Sequence, residues 1–497
     1  MFASLTKRRL LLATGLLVLV ILAVGVAARQ TLVGWATNSL LQLAGASQVR
    51  FSVTQASPWR VVLEDVAGQV RTQAFAAKRI SFDRAHWWMP SLGAVRVEQA
   101  WLSVTIDGSD TNPWSWATYK NGTVALSPLQ IPVEEISLDG QLVVRAAALP
   151  DQALTVKIDA HRTPRNTWEG RAAAKGPGLG LQAEGRYDPA TRELAFHLPS
   201  VSVDLKPWQD FVQRLVLVPG GAVEMSGQLT GTAQGKWAGS TLTAGGSVQI
   251  RDGRLSNRER GITAEGVEVD LEFKDFDKFE TKPGTLRLRT LQVGQLALTA
   301  IDAEFALADA NKVVVSHATF RTLGGSVTVE PFRYFLNLRE LDVVLLVDNI
   351  SVAEVMALTQ DLPAQASGRL DGRLPIHLDP GGLRLGTGWL ALKPGVFAQI
   401  QFRAAGLLTR GVATSSPGYP VLSKIEAGLL KLRVGSLRLD IRPPNAPAGR
   451  SAQLHVEGEP VDPEVKAPVT LDLNVNGPIE KLLNLGLDSR VSLDPGK

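Results

Sequence analysis

From about Val49 onward the chain is built from short runs in which apolar and polar residues alternate. Val267-Glu-Val-Asp-Leu-Glu-Phe273, Ser436-Leu-Arg-Leu-Asp-Ile-Arg442 and Val469-Thr-Leu-Asp-Leu-Asn-Val-Asn476 show the pattern most plainly. Period two sends successive side chains to opposite faces of a strand, so each run predicts a strand with one apolar and one polar face. Roughly thirty such runs recur at spacings of about 8–15 residues, separated by Gly, Asp, Asn and Pro, which predicts a mainly β architecture.

Few segments break the rhythm. Lys206–Leu217 and Ser351–Thr359 read as short helices, the second with Ser351 as N-cap and Glu354 three residues on. A third helix is expected at Pro478–Leu485, with proline at its start. Pro443–Pro447, Pro150–Asp151, Thr163–Asn166 and the glycine-rich Gly176–Gly180 read as turns or loops. Gly246–Leu255 and Gly381–Leu390 share a strand–turn–Gly–strand form, which ordinary hairpin chemistry explains as readily as a repeat. No composition shift cuts the body, so an extended body without a clear linker is expected; its divisions are taken as residues 1–29, 30–220 and 221–497.

The N-terminus is different. Leu10 to Ala28 carries no charge and covers about 28 Å as a helix, close to the thickness of a bilayer core. Lys7, Arg8 and Arg9 precede it, which places the N-terminus in the cytoplasm and the body across the membrane. The small residues Ala23, Gly25, Ala27 and Ala28 also suit a cleaved signal, but the run is longer than a usual signal core, so a retained anchor is expected. Leu32, Val33, Trp35, Leu40, Leu41 and Leu43 have roughly helical spacing. They fit a helix lying at the membrane surface or one plugging the first sheet.

Composition narrows the chemistry. Net charge is +4, and three of those charges come from Lys7, Arg8 and Arg9, so the body is nearly neutral. With 45% hydrophobic and 20% charged residues it folds rather than remaining disordered. There is no cysteine, which removes disulfides, thiolate metal sites and thiol nucleophiles. The six histidines, His86, His161, His197, His317, His377 and His455, stand singly, and no nucleophile elbow, phosphate loop or dinucleotide fingerprint is present. No catalytic role, metal, cofactor or nucleic-acid partner is expected.

A sheet with one apolar face must cover it. Two such sheets stacked would make a closed sandwich. One sheet curled on itself would make a trough for acyl chains, each buried CH₂ of which gains about 0.8 kcal/mol. In a trough the lining would come from Val267, Val269, Leu271 and Phe273, from Leu437, Leu439 and Ile441, and from Leu471, Leu473 and Val475. Strand pattern alone leaves both architectures open.

The second half favours the trough. Pro283–Leu288, Leu291–Phe305, Ala318–Val327 with Gly324 and Gly325, Val347–Leu358, Gly368-Arg-Leu-Asp-Gly-Arg-Leu-Pro-Ile376, Trp389–Phe397 with Pro394 and Gly395, and Pro468–Leu483 follow one another in order. This stretch, about 200 residues, resembles the YdbH-like branch of the AsmA/TamB-type envelope proteins. Gly324, Gly325, Gly368, Gly372, Pro375, Gly388, Pro394 and Gly395 match its motif positions and suit turns, bulges and strand ends. The resemblance implies an elongated, curved antiparallel sheet forming an apolar groove. It also implies an anchor in the bacterial inner membrane, a periplasmic body, and phospholipids as cargo moving toward the outer membrane. Thirty strands at about 4.8 Å would reach at most ~140 Å. A body that short would need a partner, such as an outer-membrane or periplasmic lipoprotein, or would act more locally. A scaffold for outer-membrane protein insertion is the competing expectation.

Overall fold

The computed structural model describes residues 46–70, 73–84, 92–106, 133–146, 151–216, 223–238, 241–259, 261–338, 340–358, 364–379, 382–402, 406, 409–442, 450–461 and 468–476. They contain 27 strands, as the alternation predicts, and three α-helices. By their contacts the residues form two units, Met1–Phe211 with Gly231–Ala244, and Val212–Thr230 with Gly245–Lys497. The ladders are predominantly antiparallel and are not closed.

The first unit holds β1 (Ala46–Ala56), β2 (Arg60–Val70), β3 (Gln73–Arg84), β4 (Leu92–Ile106), β5 (Val133–Ala146), β6 (Gln152–Arg162), β7 (Trp168–Gly176), β8 (Leu179–Asp188) and β9 (Glu193–Asp204). Each pairs with the next. All of these pairs are antiparallel except β4–β5, which is parallel and needs the long connection 107–132. The β7–β8 turn is Pro177–Gly178, as the glycine-rich stretch predicts. Helix α1 (Leu205–Val216) follows β9, and its Trp208 Nε1 donates to the Pro177 carbonyl at 2.8 Å.

Strands β10 (Glu224–Ala238) and β11 (Thr241–Asn257) contribute residues to both units. The second unit continues with β12 (Ile262–Asp275), β13 (Glu280–Thr281), β14 (Gly284–Val293), β15 (Leu296–Asp309), β16 (Lys312–Thr322), β17 (Gly325–Val329), β18 (Phe332–Phe335) and β19 (Leu341–Ser351). After α2 (Val352–Ala357) come β20 (Ala364–Ser367), β21 (Arg369–Asp379), β22 (Gly382–Leu385), β23 (Gly388–Leu392) and β24 (Ala398–Phe402). Helix α3 (Tyr419–Leu429) precedes β25 (Lys431–Ile441), β26 (Arg450–Pro460) and β27 (Val469–Asn476).

Two lanes of this ladder are shared by half-strands. β17 and β18 both pair with β16, separated by Glu330–Pro331. β22 and β23 both pair with β21, separated by Gly386–Thr387. Pro375 lies in β21 opposite this second gap. Its carbonyl accepts from Gly386 N at 2.8 Å, so the N–H that proline lacks would point into the break, where no ladder partner is lost.

Ser351 caps α2 as expected, accepting from Glu354 N. The pattern of Gly246–Leu255 is different from the expectation: these residues form one strand, β11, with a bulge between Ile250 and Gly253 rather than a turn. Helix α3 is absent from the expectations, because Pro420, Gly418 and Gly428 read as breakers. Proline is tolerated there because it falls in the first turn, where its missing N–H would have no helical partner. The expected anchor Leu10–Ala28, the helix at 30–43, the loop Pro443–Pro447 and the helix Pro478–Leu485 lie outside the described residues. No described helix is long and apolar enough to cross a membrane.

Burial is concentrated in small patches. Leu63, Val66 and Ala77 form one in the first unit. Val327, Val347 and Ile350 form another, and Leu392, Ala398, Leu432, Val434 and Val456 a third, both in the second unit.

Candidate functional site: the apolar face of the ladder

Residues directly opposite in a ladder share a face, so register shows which side chains lie side by side. In the second unit the register aligns Ile250, Val269, Leu286, Ala303, Ala318, Val329, Leu345 and Leu374 across eight strands, β11 to β21. A second row joins Phe320, Val327, Val347, Gly372, Leu390, Leu439, Leu454 and Leu473, from β16 to β27. Both rows run on the same face, since Val327 and Val329 are two apart on one strand. Neither contains a polar side chain.

The opposite face holds the charges. Arg251 and Asp270 pair at 2.7 Å, Arg287 and Asp302 at 3.2 Å, Arg373 and Glu330 at 3.2 Å, and Lys393 and Asp348 at 2.9 Å. All are at least partly exposed, so each contributes modestly to stability. Their main effect is to keep that face wet.

Among the described residues part of this face is covered: Ala303, Val327, Val329 and Val347 are buried, and Phe320, Leu345, Leu374 and Leu390 pack against Val327, Val347 and Ile350, whereas Ile250, Val269, Leu286 and Leu439 are half-buried. In the first unit Leu138, Ile158, Ala172 and Ala183 are aligned on the apolar side, and Ile158 remains 36% exposed. Of the expected lining residues, Leu437 and Leu471 pack against the buried cluster of Leu432, Val434 and Val456. Val267 is buried, and Val269, Leu271 and Phe273 are half-buried, with Glu268 and Glu272 exposed between them. Leu437 and Leu439 are half-buried and Ile441 is buried. Register puts positions of the last three strands in line through β26: Leu437, Val456 and Leu471; Leu439, Leu454 and Leu473; and Ile441, Ala452 and Val475. The β12 set joins these positions only through the rows.

Strict alternation does not run the length of each strand. Several strands change phase once, at an apolar–polar–polar–apolar step. Leu63-Glu-Asp-Val66, Ala77-Lys-Arg-Ile80, Val347-Asp-Asn-Ile350 and Val434-Gly-Ser-Leu437 are such steps. Asp65 has φ +53 and Asn349 φ +59, the left-handed region that non-glycine residues rarely occupy. Register aligns these positions. Asp65 and Lys78 fall between the pairs Glu64↔Arg79 and Val66↔Ala77, and Lys78 and Gln99, which has φ +50, between Ala77↔Ala100 and Arg79↔Glu98. In the second unit Asp252 (φ +50), Gly266 (φ +62) and Ala300 (φ +49) fall along another such line. At Gly266 a side chain would come within 2.8 Å of Arg289 Cβ on the next strand, so glycine is required twice over, by φ and by space.

The bends fold each strand around its apolar side. Phe75 and Ala77 precede the step in β3, Ile80 and Phe82 follow it, and all four pack in one cluster. A signal for this existed in the sequence, as the recurring three-residue apolar spacing, but period-two reading passes over it.

The motif glycines occupy backbone-critical places. Gly324 is in the β16–β17 turn and Gly325 opens β17; Gly368 separates β20 from β21; Gly388 opens β23, and Pro394–Gly395 turn the chain after it. Gly372 interrupts the second apolar row. A Cβ there would lie 2.3 Å from the Trp389 carbonyl and 2.6 Å from Leu390 Cδ2, so the Leu390 side chain occupies the space instead.

Ionisable clusters lie away from the apolar rows. His455 Nδ1 is 2.8 Å from Asp472 and Nε2 3.2 Å from Glu457. The hydrogen bond to Asp472, then that to Glu457, raises its pKa above the ordinary value. His377 lies likewise between Asp342 and Asp379. Among the described residues no group of three His, Cys, Asp or Glu is placed to hold a metal ion.

Residues 66–397 match the profile of a family described as YdbH-like, intermembrane phospholipid transport protein YdbH. No curated protein and no solved structure matches the chain.

Proposed function

The chain belongs to the YdbH-like family of intermembrane phospholipid transport, and we propose that its apolar face is the path along which phospholipid acyl chains travel. The observation that carries this reading is the pair of apolar rows crossing up to eight strands without a polar side chain. A lipid leaving a bilayer exposes some thirty methylenes at ~0.8 kcal/mol each, a prohibitive cost unless apolar contact is continuous. A row of side chains shared by successive strands supplies that continuity and needs no catalytic group. The head group stays in water while the tails lie on the sheet.

The same reading places the body in the periplasm, held at the inner membrane by Leu10–Ala28, with the groove starting at the donor bilayer. Photo-crosslinking in living cells tests the central claim. A crosslinking amino acid at Leu286 or Leu439 should yield phospholipid adducts, and one at Arg287 or Arg438 should not. Equal yields from both faces, or none from the apolar positions, would sink the reading.

A further inference from the structure

The connection between β24 and β25 carries a surface helix whose outward side has the wrong chemistry for water. A surface helix ordinarily turns charged residues to solvent and apolar residues inward. In α3 the arrangement is reversed at the outward face. Val421 and Ile425, one turn apart, are 61% and 43% exposed, with Pro420 and Ala427 exposed beside them. Val461 donates its N–H to the Lys431 carbonyl at 2.9 Å and adds a third exposed aliphatic side chain where the helix ends.

On the segment that carries the helix the exposed charges have one sign. From Gly406 to Lys431 the cations are Arg410, Lys424 and Lys431, all exposed, and the sole acid is Glu426. Glu426 is only 6% exposed and turns inward. Its carboxylate accepts from Thr409 N and Thr409 Oγ1, both at 2.8 Å, and from Gly406 N. The negative charge is thus spent on pinning the preceding loop to the helix, and what faces outward is aliphatic and cationic.

That combination is complementary to one surface in particular. Aliphatic side chains enter the acyl boundary, and lysines and arginines reach the phosphates above it. We infer that α3 docks the second unit onto a bilayer containing anionic phospholipid, as a contact separate from the lipid path itself. The helix lies beyond residues 66–397, which match the family profile.

The absence of native cysteine makes the test direct. Full-length protein in nanodiscs of zwitterionic lipid would carry a solvatochromic dye at Val421→Cys, Ile425→Cys or, as control, Gln399→Cys. Vesicles of phosphatidylcholine with about a third phosphatidylglycerol, containing doxyl-labelled lipid, are then added. The expected result is a blue shift and at least twofold stronger quenching at the two helix positions than at Gln399. Affinity should fall about tenfold or more when phosphatidylglycerol is omitted, since each basic residue near an anionic surface contributes severalfold. Lys424→Glu should weaken binding in the same direction. The inference fails if quenching is absent, equal at Gln399, or indifferent to anionic lipid. It also fails if the dye responds to protein concentration without vesicles, which would make the face an interface between copies. Phospholipid adducts at Leu439, measured on the Lys424→Glu variant, keep this outcome distinct from that of the transport reading.

Discussion

Leu63 and Val66 are three residues apart on one strand, yet each is 1% exposed and both pack in the same apolar cluster. Alternation would put them on opposite faces. Asp65 between them, with φ +53, resets the phase, so the strand bends and both sides of the bend keep their apolar residues together. The same device recurs at Asn349 and along the line through Asp252, Gly266 and Ala300. In β2 and β19 the phase step coincides with one residue in the left-handed region, whereas the steps in β3 and β25 do without one.

Those residues are held at a cost of about 1–2 kcal/mol each. Ala300 is exposed and has φ +49. Ala300→Gly should therefore leave stability unchanged or raise it by up to ~1 kcal/mol, although glycine in an ordinary strand costs about 0.5–1. Ala300→Val should destabilise by about 2 kcal/mol, because a β-branched side chain resists this conformation. Urea unfolding of the two variants decides; a stabilising valine would show that the bend is not strained.

Gly372→Ala should destabilise by roughly 2–3 kcal/mol, since its Cβ would meet the backbone carbonyl of Trp389 at 2.3 Å and backbone has little room to yield. Thermal unfolding that matches wild type would mean that β21 and β23 can move apart.

Two leucines on β25 separate lining from core. Leu432 is 0% exposed, and Leu432→Ala should cost about 3 kcal/mol. Leu439 is half-buried on the open face. Leu439→Asp should keep the fold by circular dichroism while lipid adducts at Leu286 fall severalfold. If Leu439→Asp unfolds the protein instead, that part of the face is closed core.

His455 gives a pH signature. Its folded pKa is raised by Asp472 and Glu457, so its contribution is fully present below the unfolded value near 6.5 and is lost as pH rises through the higher folded value. The stability gap between wild type and His455→Gln should be widest near pH 5.5 and close by pH 9. Denaturant midpoints at the two pH values check this; a gap that widens with pH would reverse the assignment.

Much of the architecture was legible because period-two patterning is a direct consequence of strand geometry. The runs at Val267–Phe273 and Val469–Asn476 fall within β12 and β27, and the run at Ser436–Arg442 ends one residue beyond β25. The phase resets were not legible by that rule, since Asp65 or Ala300 in left-handed conformation looks like any polar or small strand residue. Helix α3 escaped notice because Pro420 and Gly428 are breakers in the middle of a helix but harmless near its ends. Which strands lie side by side could not be read at all: register between residues as distant as Leu390 and Leu439 depends on contacts that no local pattern encodes.

The apolar rows have an evolutionary side. On the proposed path each methylene would touch several aliphatic side chains, so no single position would be indispensable, and Leu, Val, Ile or Ala would serve almost equally. Selection on such a protein would guard a rhythm of apolar and polar positions and the few residues that reset it, leaving the letters themselves to drift.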